Sequence, residues 1–512
     1  MNSLKFFIVC AFYGAYLTLN VLSLPFAYAS DALPPAVKKA LQNSKITENA
    51  LGFHVVPIGK SHDQFTQHAW NANQAMNPAS TMKLLTTIAA LDILGPMYQW
   101  KTNIYTNGVI EQGVLNGSLI WQGFGDPKFV PEELSQIVLD LRMAGIQEIQ
   151  GNLIFDRSVY ASNIRQSAPL DGELNRTYNV APDPLLYAFQ TLSFRIANNS
   201  GQAEISYTPK LAGLRVINQL QVVKGACSDW TKLIKIEIRK INDEEWNAIF
   251  TGKYPANCPD INWNTVAIDP NNFLKQGFLA AWEDGGGIWK PRPQVIDGIT
   301  PSQAKLLVSH PGISLADAVK DINKYSNNVM ARQLFLTIGL EKGVRPTTTS
   351  DSFRIVKDWL KKSKLNFPEL VVENGSGLSN IERISPQSMT SLLNYSVYSK
   401  NNELLVNSLP IAGVDGTMKN RLIDRLKKLW SSPKAEDIFN PDMSLPLGLQ
   451  KSGAYMKTGT LQTVRAVSGY VVSKSGKVYA VSSMVNHANA GAGGSSVNDA
   501  VIAWVLDDCP SN

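Results

Sequence analysis

The sequence has no dense run of lysine and arginine residues, and its formal net charge is only +6 over 512 residues. Nucleic-acid-binding domains need basic clusters to neutralise phosphates, so nucleic acid is not an expected partner. This mild charge still permits weak attraction to an anionic wall or membrane surface. Hydrophobic residues make up 44% of the chain. The composition therefore indicates a globular protein, long enough for several domains or for one domain with a large insertion.

Cysteine and histidine are scarce, with four and five residues respectively. The histidines are scattered and the cysteine spacings do not match a zinc site, so neither a metal ion nor another cofactor is expected. Cys10 lies in the N-terminal segment described below, and the other cysteines are Cys227, Cys258 and Cys509. In an oxidising compartment Cys227 and Cys258 are the candidate disulfide, although the sequence leaves other pairings open.

A long apolar run occurs at the N-terminus and nowhere else. Lys5 precedes an apolar stretch over 6–24, and the small-residue sequence AYA at 27–29 follows it. This pattern predicts a signal peptide over residues 1–29 that directs export and is cleaved after Ala29. An uncleaved signal anchor is the alternative, because the apolar stretch is rather long. The remaining chain is expected to associate with a membrane peripherally at most.

The secondary-structure pattern changes near residues 97 and 300. Between these points short runs of branched and aromatic residues alternate with Gly, Asn and Pro turns, which predicts a β-rich region. Helical periodicity dominates on both sides, and the last strands are expected to form a hairpin. Outside the β-rich region we expect helices over 33–41, 81–94, 314–340, 349–362 and 497–506, a strand over 51–58, and hairpin strands around a turn at 473–477.

The segment NPASTMKLLTT, residues 77–87, places Ser80 one helical turn before Lys83. A serine hydroxyl becomes a good nucleophile when a neighbouring base takes its proton, and a buried lysine can be that base. A serine at a helix start also has its N–H among the free donors that can stabilise an oxyanion. The same S-x-x-K pattern occurs at 302–305 and 431–434, beside prolines and without a following apolar helix. Ser80 and Lys83 are therefore the candidate pair, against the alternative of a helix start with a solvated lysine.

Two further motifs complete a possible catalytic set. Ser326-Asn327-Asn328 fits an S-x-N pattern that also occurs at 399–401 and 496–498, and Tyr325 allows a Y-x-N reading of the same stretch. A K-[ST]-G pattern, which would supply a cation and a hydroxyl for a substrate carboxylate, occurs at 451–453, 457–459 and 474–476. The copy at 457–459 leads into a strand-rich stretch, whereas the other two resemble turns.

The order of these motifs resembles the layout of penicillin-recognising serine hydrolases. More closely, the chain resembles the low-molecular-mass class C penicillin-binding proteins, the D-alanyl-D-alanine carboxypeptidase/endopeptidase group of peptidase family S13. The resemblance extends over most of the chain after residue 29. The segments that carry it are NANQAMNPASTMKLLTTIAALDILGP, GFGDPKF, GNLIFDRSVY, YSNNVMARQLFLTIG, ENGSGLSN, LPIAGVDGTMKNR and MKTGTLQTVRAVSGYVV.

The resemblance implies an α/β (α+β) fold of the penicillin-binding-protein/β-lactamase-like transpeptidase type, with an antiparallel sheet flanked by helices. The family carries extra domains between the first two motifs, where this chain has its β-rich interval. We therefore expect a discontinuous catalytic domain formed by 30–96 and 300–512. The interval 97–299 would form inserted β-rich domains, one nested in another.

The resemblance also implies a role for each motif residue. Ser80 would attack the D-Ala-D-Ala carbonyl to form an acyl-enzyme, and Lys83 would be the base. Ser326 and Asn328 would relay protons and hold the substrate. Lys457 and Thr458 of the third motif would bind the terminal carboxylate. The N–H groups of Ser80 and Thr460 would form the oxyanion hole, and Gly459 of the same motif would also lie against the substrate.

Three further positions follow from the resemblance. Asp156 would receive the amino group of the diamino acid in the stem peptide, although the residues alone are equally compatible with a turn aspartate at a strand end. Asn374 stands where the family often has Asp, and Arg332 stands where an acidic residue is frequent.

The function implied is a periplasmic serine-type D-Ala-D-Ala carboxypeptidase that is also an endopeptidase. Its substrates would be peptidoglycan stem peptides ending in D-Ala-D-Ala, and β-lactams would be covalent inhibitors. A β-lactamase or esterase of the same superfamily is one alternative, and a non-catalytic peptidoglycan-binding protein is another. The long insertion argues against the first, and the complete motif set argues against the second.

Overall fold

The computed structural model describes residues 33–59, 67–166, 168–227, 229–431, 447–449 and 451–510. The predicted signal peptide, residues 1–29, lies outside these ranges. Within the described ranges, no helix has both the length and the apolar character needed to cross a membrane.

The described residues contain twelve α-helices, most of which bury one face. Their bounds are α1 (Pro35–Ser44), α2 (Lys83–Leu94), α3 (Pro131–Met143), α4 (Ser162–Arg165), α5 (Pro270–Asp284), α6 (Leu315–Tyr325), α7 (Asn328–Glu341), α8 (Thr349–Lys362), α9 (Pro386–Val397), α10 (Asn402–Ser408), α11 (Ile423–Trp430) and α12 (Ser495–Leu506).

The described residues also contain twenty β-strands, which form five sheets. Their bounds are β1 (Leu51–Ile58), β2 (His68–Trp70), β3 (Gln99–Thr106), β4 (Val109–Glu111), β5 (Val114–Asn116), β6 (Leu119–Gly123), β7 (Glu148–Ile149), β8 (Leu153–Asp156), β9 (Leu192–Asn199), β10 (Gln202–Thr208), β11 (Leu214–Val223), β12 (Ile234–Lys240), β13 (Trp246–Pro255), β14 (Ile261–Thr265), β15 (Ile288–Trp289), β16 (Val295–Asp297), β17 (Lys305–Ser314), β18 (Gly453–Leu461), β19 (Val464–Val472) and β20 (Val478–Asn486).

A five-stranded antiparallel sheet forms the centre of the part that holds the candidate site. Its strand order is β18-β19-β20-β1-β2, so the first strand of the chain pairs with the last one, with Leu51 opposite Val485. Side chains alternate between its faces, as the pleat requires. Ala480 and Met484 of β20 pack with α2, α7 and α9, whereas Val481 and Val485 pack with α1 and α12. This antiparallel sheet flanked by helices on both faces is the predicted fold class.

The helix expected over 33–41 spans Pro35–Ser44, and the one expected over 497–506 begins at Ser495. The larger departures lie around the candidate motifs. Strand 51–58 and helix 349–362 have the predicted bounds, and the C-terminal hairpin pairs as β19 and β20. The helix expected over 81–94 instead starts at Lys83, after a 3₁₀ turn over Ala79–Met82. The helix expected over 314–340 is broken into α6 and α7 at Ser326, whose φ of 59° is left-handed.

The β-rich interval contributes to four further sheets around its own apolar core. Two of them are three-stranded, β10-β9-β14 and β11-β13-β12. The third is four-stranded, β15-β7-β5-β4, and the fourth is a five-stranded mixed sheet, β16-β8-β6-β3-β17. The last of these takes in β17, which begins beyond residue 299 and pairs with β3. The domain bounds stay a prediction, and pairing alone would extend the inserted part to Ser314.

A disulfide joins Cys227 to Cys258 within this interval. Replacing Cys227 with Ser is expected to lower the free energy of unfolding by about 3–4 kcal/mol, because the cross-link closes a loop of 31 residues and restricts the unfolded chain. Urea titration followed by tryptophan fluorescence measures this effect. Reductant should lower the wild-type midpoint to that of the variant and leave the variant unchanged. Equal midpoints for the oxidised wild type and the variant would contradict the expectation.

Candidate active site

Ser80 lies in the 3₁₀ turn that leads into α2, and its backbone is tightly held. The Asn77 side chain accepts the Ala79 N–H at 2.8 Å and donates to the Ser379 carbonyl at 2.8 Å. The Asn486 amide bonds the N–H and carbonyl of Asn77 at 2.7 and 3.0 Å. The turn is thus fixed by both β20 and a loop before α9, so the Ser80 hydroxyl has a defined position at the start of the helix.

Lys83 is fully buried, and its amine contacts the Ser80 hydroxyl. Nζ lies 3.0 Å from Ser80 Oγ, and it donates to Asn328 Oδ1 at 2.7 Å and to the Ser376 carbonyl at 2.5 Å. The helix that carries Lys83 buries all of its first nine residues. Burial lowers the pKa of Lys83 to about 7, although the nearby carboxylate of Glu382 opposes this shift. A large fraction of neutral amine near pH 7 suits a general base.

Ser326 and Asn328 lie at the corner between α6 and α7. Ser326 occupies the left-handed region, which is uncommon for a residue other than glycine and costs free energy. Asn327 caps α7 by accepting the Met330 N–H at 3.1 Å, so Asn328 is the first helical residue. The corner therefore directs Asn328 toward Lys83 and leaves the Ser326 hydroxyl facing β18.

Lys457 reaches this corner from β18. It is fully buried, and its Nζ donates to Ser326 Oγ and to the Thr458 carbonyl, both at 2.8 Å. Burial, together with the positive charge of Lys83, lowers the pKa of Lys457 well below its usual value. The Thr458 hydroxyl donates to the Thr417 hydroxyl at 2.7 Å. An anion placed beside Lys457 and these hydroxyls would offset the cost of burying the ammonium.

Gly459 allows β18 to pass directly beside the Ser80 turn. A Cβ at this position would lie 2.5 Å from the Pro78 carbonyl oxygen and 3.1 Å from the Ser80 nitrogen. Thr460 follows it and is exposed. Since β18 is an edge strand of the central sheet, an extended peptide could pair with it next to Ser80.

Glu382 belongs to the site but was missed by the sequence analysis. Its buried carboxylate binds the loop 373–376, and the Ser376 carbonyl of that loop accepts the Lys83 amine. Asn374 contributes to the same loop, since its Oδ1 accepts both the N–H and the hydroxyl of Ser376. Nothing in the short stretch around Glu382 distinguishes it from a surface acid, so the sequence carried no signal for it.

The structure does not bring Asp156 into hydrogen-bond contact with the other candidate residues. Its carboxylate accepts the N–H and hydroxyl of Thr300 at 2.8 and 2.7 Å, the Ser158 N–H at 3.0 Å and the Gln122 amide at 3.2 Å. These bonds lower the pKa of Asp156 against the effect of burial. They are the contacts of a strand-end aspartate, and a role in substrate binding stays a prediction.

Arg332 lies behind the site on α7. It donates to the Val180 carbonyl at 3.2 Å, and burial lowers its pKa to about 10 while Glu373 and Glu382 oppose that shift.

A cavity of about 460 Å³ opens beside the corner that holds Ser326 and Asn328. Tyr178 and Phe189 of the inserted region line its other side. Among the described residues that line it, none is an Asp, Glu, Lys, Arg or His. The cavity is therefore an uncharged cleft that begins at the candidate residues Ser326 and Asn328.

Comparison with known proteins connects this geometry to one family. The model of the D-Ala-D-Ala carboxypeptidase 3 (S13) family matches residues 33–430 and 450–506. The D-alanyl-D-alanine carboxypeptidase DacB of Haemophilus influenzae is 26% identical over 425 residues, which are 82% of this chain and 83% of that protein. The D-alanyl-D-alanine carboxypeptidase of Actinomadura sp. (strain R39) is 23% identical over 525 residues, with 95% and 89% covered.

A solved structure shows the same fold. The crystal structure of penicillin binding protein 4 (dacB) from Haemophilus influenzae matches with a TM-score of 0.69 at 23% identity, over 92% of this chain and 99% of that chain.

Gly377 supplies a direct test of the packing around Ser80. Its φ is +79°, and a Cβ would lie 1.9 Å from the Ala79 carbonyl oxygen. Gly377→Ala should therefore displace the Ser80 turn, lower the free energy of unfolding by about 2–4 kcal/mol and slow acylation by a labelled penicillin. Gly343→Ala is the matched control, because Gly343 also has a positive φ but no atom lies within 4 Å of the added carbon. Equal acylation rates in the two variants would contradict this packing.

Proposed function

Because the chain belongs to the D-Ala-D-Ala carboxypeptidase 3 (S13) family and is a serine-type carboxypeptidase, we propose that Ser80 is its nucleophile and Lys83 its base. The observation that carries this assignment is the buried Lys83 amine 3.0 Å from the Ser80 hydroxyl. Two of its N–H groups are directed at Asn328 and Ser376. In the neutral amine this arrangement leaves the nitrogen lone pair for the Ser80 proton.

The reaction proceeds through an acyl-enzyme. Lys83 takes the Ser80 proton while Oγ attacks the carbonyl carbon of the penultimate D-Ala, and the C–N bond to the terminal D-Ala then breaks. The departing nitrogen receives the proton that Lys83 had taken, relayed through the Ser326 hydroxyl, so Lys83 returns to the neutral amine. Asn328 holds the substrate. Water then attacks the ester, which releases the shortened peptide and restores Ser80.

Binding and charge stabilisation come from β18. Lys457 and Thr458, with Thr417 beside them, receive the terminal carboxylate of the substrate. The N–H groups of Ser80 and Thr460 form the oxyanion hole, and the close approach of Gly459 to the Ser80 nitrogen supports this assignment. Lys457 is buried beside Lys83. Substrate binding is therefore expected to add the negative charge that stabilises its ammonium form.

The substrates that we propose are peptidoglycan stem peptides ending in D-Ala-D-Ala, and crosslinked peptides in an endopeptidase activity. The signal-peptide pattern supports export to the periplasm. β-Lactams are expected to acylate Ser80, and the Haemophilus protein is known in complex with a β-lactam. Digestion of defined muropeptides separates the two activities, because a carboxypeptidase releases D-Ala and an endopeptidase converts dimers to monomers.

Labelling with a fluorescent penicillin tests the nucleophile. The wild-type protein should carry a stable covalent label, and Ser80→Ala should lose it completely, because Ser80 carries the hydroxyl that contacts the buried Lys83 amine. Ser302→Ala is the matched control, since Ser302 belongs to another S-x-x-K sequence but is exposed.

The result also decides between the alternatives. A label that Ser80→Ala retains would refute the assignment. Rapid turnover of the penicillin would favour a β-lactamase, and no reaction of the wild type would favour a binding protein without activity.

The pH dependence of acylation tests the base. The rate should rise with pH through an apparent pKa of about 7, because burial lowers the pKa of Lys83 to that value and the ammonium form present at lower pH cannot accept the Ser80 proton. Lys83→Arg stays charged and should reduce acylation by about 10²–10⁴-fold. A single limb near pH 4–5, or a rate that Lys83→Arg preserves, would contradict a lysine base.

A further inference from the structure

Glu382 combines complete burial with an unusual set of partners. Its Oε1 accepts three consecutive backbone N–H groups, from Glu373 at 3.1 Å, Asn374 at 2.9 Å and Gly375 at 3.0 Å. Its Oε2 has no hydrogen-bond partner among the described residues. Burial raises the pKa of Glu382, while the three N–H donors and Lys83 oppose that rise. Three donors on one oxygen stabilise the ionised carboxylate.

The loop that Glu382 holds leads directly to Lys83. Residues 373–375 donate to the carboxylate, and the next residue, Ser376, presents its carbonyl to Lys83 Nζ. The following Gly377 packs against the Ala79 carbonyl. A single carboxylate therefore holds a loop that contacts both the base and the turn of the nucleophile.

The charge of Glu382 acts on two basic groups. Its negative charge favours the ammonium form of Lys83 on α2 and the charged form of Arg332 on α7. Lys457 of β18 is a second buried cation, and the positive charge of Lys83 lowers the pKa of Lys457 further than burial alone does. Glu373 is exposed and acts on Arg332. Glu382 is thus the acid whose charge opposes the effect of burial on the base.

We propose that Glu382 is a positioning residue for Lys83. Its carboxylate holds the loop that places the Ser376 carbonyl against the Lys83 amine, and its negative charge sets how tightly that amine holds its proton. The inference rests on the proposed function of Lys83 as the base. A loop scaffold alone would need the three hydrogen bonds but not the charge, so the charge separates the two explanations.

Glu382→Gln removes the charge and can retain the three hydrogen bonds to Oε1. The variant should move the acidic limb of the acylation profile to lower pH by about one unit, because Lys83 loses the negative charge that stabilises its ammonium form. Well below the wild-type limb, the rate relative to its own plateau should rise about tenfold. Mere destabilisation of the fold would not produce this gain.

Two controls keep the test specific. Glu369→Gln removes a carboxylate that accepts the backbone N–H of Ser385 at 2.9 Å. Like Glu382, Glu369 thus holds a backbone segment near the loop, but it has no contact with Lys83. This variant should leave the limb unchanged. Glu382→Asp retains the charge with a shorter reach, so it should lower the plateau and shift the limb by less than Glu382→Gln. If Glu382→Gln does not fold, Glu382→Asp can still be measured. A shift of the acidic limb by a full pH unit in Glu382→Asp would overturn the proposal.

Titration of the Lys83 side chain by ¹³Cε NMR reads the same effect without activity. A lower Lys83 pKa in Glu382→Gln supports the proposal, and an unchanged pKa overturns it. An unchanged limb with a lower plateau would reduce Glu382 to a loop scaffold. Slower deacylation with an unchanged limb would instead make it a hydrolytic base. Failure of the wild type to acylate would refute the proposed function and leave the NMR titration to decide this inference.

Discussion

The burial of one amine against one hydroxyl governs the rest of this structure. A charged lysine is costly to bury, so the fold must either neutralise Lys83 or surround it with acceptors, and it does both in part. Asn328 and Ser376 accept its N–H groups while Ser80 occupies the third direction. The apolar surface of α2 removes water from the amine. A solvated lysine would keep its proton at neutral pH and could not serve as the base that we propose.

The groups around Lys83 come from distant parts of the sequence, and the topology explains how they meet. Pairing of β1 with β20 closes the central sheet from the two ends of the chain. This brings β18, the last strand on that side, next to the turn before α2. The left-handed corner at Ser326 then joins the two lysines, because Asn328 contacts Lys83 and Ser326 contacts Lys457. The strain of that corner is compatible with a site whose residues are held by their surroundings.

The sequence was sufficient for the elements with strong periodicity, and the motif residues that it singled out contact one another in the structure. It failed where local conformation depends on tertiary contacts. The β1 strand, α8 and the C-terminal hairpin follow from hydrophobic pattern and turn residues. The break between α6 and α7 does not, because Ser326 adopts a left-handed conformation that its residue type disfavours. Glu382 and Thr417 were missed because folding alone brings each of them to the site. The contact of Asp156 with Thr300 was likewise not predicted, because the two residues are far apart in the sequence.

The central claim is that Ser80 is the residue that becomes acylated. Peptide mapping by mass spectrometry of the full protein after reaction with penicillin tests it most directly. We expect one penicilloyl group per chain, on the peptide that contains Ser80 and Lys83. An adduct on Ser326, on Ser302 or on any other residue, with the Ser80 peptide unmodified, would contradict it.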